Sequence, residues 1–260
     1  MAALYNEKVS ETRVQDLPRW SNEWENDMQF RISSRMFKKV LNSRRRRTVT
    51  RIVDDIVSSK KSPGYSERVT NNMCALYATL MKNANGEVIK ITTPTAKSIE
   101  GYPELVCYAD GVYQRNGETR LVLFRKTMKH TIEDYVNMPS CSLTRSEAGN
   151  YQIKSVNEVW YELAALFEAN PDVQRCDYVI VRGSAEILHV VEVQNEEIAR
   201  IIGNFNEKKR ELRKFYCAAI LPKLADSSNV PRDLCLSMSR KRMSRILGVK
   251  GNNTSPSPPV

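Results

Sequence analysis

The stretch CYADGVYQRNGETRLVLFRK, residues 107–126, decides how the chain is read. It carries one short strand to Ala-Asp-Gly, turns at Asn116-Gly117, and returns through a second strand over residues 120–125. Asn-Gly takes the left-handed backbone that a tight hairpin needs, and the β-branched and aromatic residues on either side favour a pleated strand. The aspartate at the strand end, Asp110, is the first residue whose chemistry has to be explained.

Working outward, the spacing of apolar residues changes on both sides of the hairpin. Upstream, FRISSRMFKKVLN (30–42) offers Ser33 or Ser34 as a helix cap, with Met36, Phe37, Val40 and Leu41 on one face. SRRRRTVTRIVDDIVSSKK (43–61) repeats Val49, Ile52, Val53, Ile56 and Val57 at helical spacing, and Pro63-Gly64 closes it. SERVTNNMCALYATLMKNANG (66–86) predicts a third helix with Met73, Leu76, Tyr77, Leu80 and Met81 inward. EVIKITT (87–93), LVCYADGVY (105–113) and TRLVLFRKTM (119–128) read as strands of one sheet. Downstream, SVNEVWYELAALFEANPD (155–172) is helical, and CDYVIVRG (176–183) with AEILHVVEVQ (185–194) forms a strand pair around Gly183-Ser184. Residues 195–225, NEEIARIIGNFNEKKRELRKFYCAAILPKLA, predict one long charged helix, bent or ended at Pro222. The order predicts an α/β core with a mixed sheet. The expected organisation is a flexible segment 1–19, one domain over 20–225, and a basic Ser- and Pro-rich disordered tail 226–260.

Totals narrow the function classes. An apolar share of 41% is enough for a sizeable core, and 40 Lys and Arg against 30 Asp and Glu leave a net charge of +10 that favours an anionic partner. Arg44, Arg45, Arg46 and Arg47 run together, with Arg35, Lys38, Lys39 and Arg51 around them and no acid between. SRKRMSR (239–245) is a second basic segment, compatible with nuclear import or with anchoring on nucleic acid. Neither is interleaved with aromatics, so base-specific single-strand recognition is not indicated. Trp20, Trp24 and Trp160 read as core or clamp residues. The six cysteines form no CxxC pair, and His130 and His189 are too few and too separated for a zinc motif. Reduced thiols in an intracellular protein are the expectation. No basic-then-apolar leader pattern opens the sequence and no run reaches the ~18 apolar residues of a membrane span, so no membrane association is expected.

Several phrases stand in a familiar order: RISS near the start, ADG before a strand, IKSVNEVWYELAAL, CDYVIV, and KKRELRKFYCAAILPKLA at the end. Over residues 20–225 this resembles the phage lambda exonuclease-like alkaline exonucleases, the YqaJ-type viral recombinases of the PD-(D/E)XK nuclease superfamily. The resemblance implies a restriction-endonuclease-like α/β core, with a mixed central β-sheet flanked by helices and a long C-terminal helix. It also implies DNA end-processing or recombination, Mg²⁺ or Mn²⁺ in active members, and ring-shaped oligomers in some.

Set against the family's motifs, the chain keeps some residues and departs at others. Asp110 stands for the aspartate of SPDG, while Leu123 takes the metal-binding glutamate's place in ExK and Arg125 the lysine's. Asn71 and Ala75 fall on the glycine and glutamate of GxxxE, and Glu162 on the glutamine of YYxQ. In the RITAS-like phosphate site Arg31 stays, but Arg35 replaces the serine. Mg²⁺ demands converging oxygen ligands, and leucine supplies none. Arg125 stays protonated, so it can face a phosphate but cannot accept a proton. The expectation is a nucleic-acid-binding, exonuclease-like protein without catalysis and without a cofactor. Asp110, Arg125 and Glu162 would be vestigial cleft positions, and Arg31, Arg35, Lys38, Lys39 and Arg44 to Arg47 would hold phosphates.

Two alternatives stay open. One is a Mg²⁺- or Mn²⁺-dependent exonuclease with a migrated site, using Asp110 with Glu162, or Asp177 with Glu192 and Gln194, the last two sharing one strand face. The other is a protein-interaction module, with residues 195–224 as the partner surface and no nucleic acid.

Overall fold

A large four-stranded sheet and a small three-stranded one meet at Asp110. The computed structural model describes residues 17–28, 30–43, 46–57, 67–139, 141–154, 158–183 and 185–224. Arg44, Arg45, the Pro63-Gly64 stop, Ser184, most of the expected N-terminal segment and the tail with its basic stretch lie outside the described residues.

The chain enters through helix α1 (Asn22–Met28), a short strand β1 (Ile32–Ser33), a single helical turn (Ser34–Met36) and α2 (Phe37–Leu41). Ser33 caps that turn, its hydroxyl accepting from the Arg35 N–H, as one of the two expected cap positions. Helices α3 (Arg46–Val57) and α4 (Glu67–Asn85) follow, then β2 (Lys97–Ile99) and β3 (Tyr102–Cys107). β1 pairs parallel with β3, and β2 antiparallel with it, to make the small sheet.

The Asn116-Gly117 turn forms as read, but residues 105–113, expected as one strand through Ala-Asp-Gly in the same sheet as residues 119–128, are split. β3 ends at Cys107 in the small sheet, residues 108–110 link the two sheets, and a new strand begins at Gly111 in the large one. β4 (Gly111–Arg115) and β5 (Glu118–Thr127) pair antiparallel in register from Gly111 opposite Val122 to Arg115 opposite Glu118. Asn116 and Gly117 both take positive φ, 52° and 77°, as a two-residue turn of this hand requires. Helix α6 (Glu158–Ala169) then carries the chain over to β8 (Arg175–Arg182), which lies parallel to β5, and β9 (Glu186–Gln194) returns antiparallel to β8. The large sheet therefore runs β4-β5-β8-β9, a mixed sheet flanked by helices, which is the α/β architecture expected.

Strand β5 is apolar on both faces, so it sorts the core into two layers. Leu121 and Leu123 face α6 together with Tyr178 and Ile180 of β8. Val122 and Phe124 face α4 with Val179 and Val181. On α4 the buried stripe is Met73, Cys74, Tyr77 and Met81. Leu80, expected inward, is exposed at 37%, because the stripe is turned toward Cys74.

Other expectations need correcting. Residues 87–93 form no strand; they pair with the sheet at one isolated bridge, Thr92 opposite Val112. The expected long C-terminal helix is broken into α7 (Asn195–Ile202) and α8 (Phe205–Phe215), a π-type turn (Tyr216–Ile220) and α9 (Leu221–Leu224). The break falls at Gly203, with φ of 59°, where Asn204 then caps α8 by accepting from the Glu207 N–H. Between the strands the chain also forms α5 (Ile132–Val136) and the hairpin β6 (Leu143–Arg145) and β7 (Tyr151–Ile153). α8 is tied to the small sheet by Arg213, whose guanidinium pairs with the fully buried Glu104 of β3.

Among the described residues no helix is long and apolar enough to cross a membrane. Of the described cysteines, Cys74, Cys107, Cys141 and Cys176 are buried and Cys217 is half-buried.

Candidate functional site

Asp110 sits in the short link between β3 and β4, where the backbone leaves the small sheet for the large one. Its N–H donates to the Val122 carbonyl at 2.9 Å, and its Oδ2 accepts from the Phe124 N–H at 2.9 Å, so β5 fixes both main chain and carboxylate. The glycine after it has a packing reason. A Cβ on Gly111 would stand 2.5 Å from Ile91 Cγ2, inside contact distance, so the Asp-Gly pair here opens a strand under a close neighbour rather than making a turn.

The second carboxylate arrives from α6. Glu162 is buried, and one guanidinium bridges it to Asp110: Arg35 Nη2 donates to Asp110 Oδ1 at 2.6 Å and Arg35 Nε to Glu162 Oε1 at 3.2 Å. Burial pushes the Glu162 carboxyl up, and nearby Asp110 adds to this, while Arg35 and Arg125 pull it back down. Asp110 has a second cation in Arg19, whose Nη2 lies 3.4 Å from Oδ1 and whose Nη1 donates to the Ala109 carbonyl at 2.6 Å. Both guanidiniums stack on Tyr108, Arg19 at 4.3 Å and Arg35 at 5.0 Å from the ring centroid.

Leu123 and Arg125 complete this face. Leu123 is 2% exposed and packs in the α6-side core; Arg125, two residues on along the same face, is half-buried within electrostatic reach of Glu162. On α4 the residue that touches Asp110 is Cys74, its Sγ 3.8 Å from the Asp110 carbonyl, whereas Ala75 is exposed. Burial and Asp110 push the Cys74 thiol up to about 12, so at neutral pH it is an uncharged filler.

These residues do not fit a divalent cation. A Mg²⁺ or Mn²⁺ ion needs several convergent oxygens. Here both Asp110 oxygens and one of Glu162's are engaged by N–H donors, the third expected position is hydrocarbon, and a guanidinium stands between the two acids. Among the described residues no three of His, Cys, Asp or Glu gather as they would around a metal.

The alternative constellation is on the other face of the sheet. Asp177 lies opposite Glu192 in the β8–β9 register and points toward α4, where its Oδ2 accepts from Tyr77 at 2.9 Å and Tyr113 at 2.5 Å. Arg120 joins it to Glu192, at 3.6 Å from Asp177 Oδ1 and 2.6 Å from Glu192 Oε2. Burial pushes the Asp177 carboxyl up. Gln194 is exposed at the end of β9. The set is thus a tyrosine- and arginine-satisfied knot, separated from Asp110 and Glu162 by the sheet.

Of the expected phosphate-holding residues, Arg31 is corrected. It is 1% exposed, with Nε and Nη2 on the two Asp27 oxygens at 2.5 and 2.9 Å and Nη1 on the Pro103 carbonyl at 2.5 Å, so it locks β1 to its surroundings and faces no solvent. Arg35 is 18% exposed by side chain and lies between Asp110 and Glu162. Lys38 is half-buried, while Lys39 and Arg51 are exposed. Arg44 and Arg45 lie outside the described residues, and Arg46 and Arg47 open α3. Trp24 and Trp160 are buried as expected of core residues. Arg19 was not foreseen; its partners stand 90 residues away, and the sequence signals it only as an arginine beside Trp20.

No protein-family model matches the sequence, and no curated protein does. Solved structures similar to it include those of an alkaline exonuclease. One is the enzyme LHK-Exo from Laribacter hongkongensis, at 10% identity and a TM-score of 0.43 over 75% of this chain and 97% of that one. The same exonuclease in complex with dAMP matches at 10% identity and a TM-score of 0.48, over 75% and 92%.

Proposed function

We propose that this chain binds nucleic acid, DNA in the first instance, on an exonuclease-like core and does not hydrolyse it. One observation carries the reading: the two acids of the cleft are both bonded to Arg35, and the position between β5 and α6 where a third ligand would stand is Leu123. A guanidinium stays charged and attracts phosphate, yet it neither polarises a water molecule as a metal does nor takes a proton. The net charge of +10 supplies long-range attraction for a polyanion. Arg35 and Arg125 would face phosphate in the cleft, and Lys38, Lys39 and the run Arg44 to Arg47 would hold the flanking backbone. The setting would be DNA end-processing or recombination, with the protein acting as a binding or assembly component.

The test is end-labelled duplex, assayed for both retention and cleavage. The expectation is no shortening of the label in Mg²⁺ or Mn²⁺. Binding should weaken with salt at a log–log slope near −5 for about six phosphate contacts. Metal-dependent cleavage that disappears in Asp110→Ala would overturn the non-catalytic reading, and salt-independent binding would overturn the phosphate one.

A further inference from the structure

Residues 17–21 lie against the Asp110 link, with Arg19 on the Ala109 carbonyl and the Asp110 carboxylate. Leu17 and Trp20 pack against a small cluster of Trp24, Ala96 and Val106 together with Tyr108, apart from the two main core layers. Between them Arg19 turns inward until its side chain is only 3% exposed, layered between Trp20 at 4.5 Å and Tyr108 at 4.3 Å.

This contact carries two costs. Trp20 has φ of 66°, a left-handed backbone that a bulky residue adopts only under constraint. Arg19 Nε is buried with no hydrogen-bond partner. Arg19 is a second guanidinium on an aspartate that Arg35 and the Phe124 N–H also bond, so a departing Arg19 leaves Asp110 still paired. Burial pulls the Arg19 pKa down, while Asp110 and Tyr108 push it back up and Arg35 lowers it. A segment held with strain and an orphaned donor, outside the two main core layers, on an aspartate that keeps other partners, is one a competing ligand can displace.

We propose that residues 17–21 are an autoinhibitory strap: with Arg19 seated on Asp110 it covers the cleft, and it leaves when a phosphodiester backbone reaches Arg35 and Arg125. The proposal rests on the nucleic-acid reading above. It makes a prediction opposite in sign to plain electrostatics. Removing a positive charge ordinarily weakens binding to DNA, whereas removing the strap's anchor raises the fraction of protein that is open. If the open form is about a tenth of the population, Arg19→Gln tightens apparent affinity about tenfold.

The experiment titrates full-length wild type and Arg19→Gln with a fluorescein-labelled DNA duplex at fixed salt, read by anisotropy. In parallel, wild type is digested briefly with trypsin, with and without duplex, and the Arg19–Trp20 cut is quantified by mass spectrometry. Tighter binding by the variant and faster cutting when duplex is present support the strap, as does binding by the variant where wild type shows none. Equal or weaker binding by the variant, or duplex that slows or leaves unchanged the cut, overturns the strap and leaves the binding reading standing. Failure of both proteins to bind removes the binding reading and the strap with it. Should the variant not fold, the wild-type trypsin comparison decides by itself.

Discussion

Replacing Arg35 by methionine keeps most of the side chain's hydrocarbon and removes its charge. In the wild type that charge is shared by two buried acids, at 2.6 Å from Asp110 and 3.2 Å from Glu162, with Asp110 fully buried. Deleting one partner of a buried ion pair costs roughly 3–5 kcal/mol, because the other partner keeps its desolvation penalty. Two features lower the figure here. Asp110 retains the Phe124 N–H and Arg19, and Glu162, whose carboxyl burial already pushes up, can take a proton. The expected loss is therefore about 2–4 kcal/mol, or about 4–16 °C in Tm for a domain of this size. Removing the guanidinium should also leave two carboxylates able to share a weakly held cation. At ten times its Kd, Mn²⁺ would return about 1.4 kcal/mol to the variant, and wild type should gain nothing comparable. Thermal and urea denaturation of both proteins, with and without Mn²⁺, make the comparison. If the variant lies within about 0.5 kcal/mol of wild type, the ordinary range for an uninvolved surface change, or if Mn²⁺ stabilises wild type as much as the variant, Arg35 is not the cation between these acids.

Two further outcomes follow from the same site. Gly111→Ala should cost about 1–3 kcal/mol through the 2.5 Å clash with Ile91 Cγ2. The penalty should shrink by about 1 kcal/mol in an Ile91→Ala background, so strict additivity in the double-mutant cycle would show the two residues to be uncoupled. The raised Glu162 pKa fixes a pH dependence: the folded state holds that proton longer than the unfolded chain, so stability from this group is full below its ordinary value of 4.5 and is lost as pH rises through the folded value. Glu162→Gln, which mimics the protonated form, should flatten that fall in urea midpoints measured across the acidic to neutral range, and parallel curves would contradict the assignment.

The sequence by itself determined what depends on neighbours along the chain. Asn116-Gly117 specified the hairpin, the apolar run of β5 specified a strand buried on both sides, and the spacing of Met73, Tyr77 and Met81 specified the face of α4. It also placed a leucine at 123 where the family resemblance expects an oxygen ligand, because residue type at a motif position needs no coordinates. What it could not supply was the pairing of charges across distance. Arg31 read as a phosphate contact until folding delivered it to Asp27 and the Pro103 carbonyl, and the long terminal helix held only until Gly203 took a positive φ. Asp177 and Glu192 looked like an alternative active site, yet strand alternation sends them to the α4 side, into the hands of Arg120 and two tyrosines. Arg35 meets Asp110 and Glu162 across 75 and 127 residues of chain, and Arg19 reaches Asp110 across 91. Coulomb energy depends on separation in space and on burial, neither of which is written in the order of residues; only the closed fold decides which cation sits between two acids.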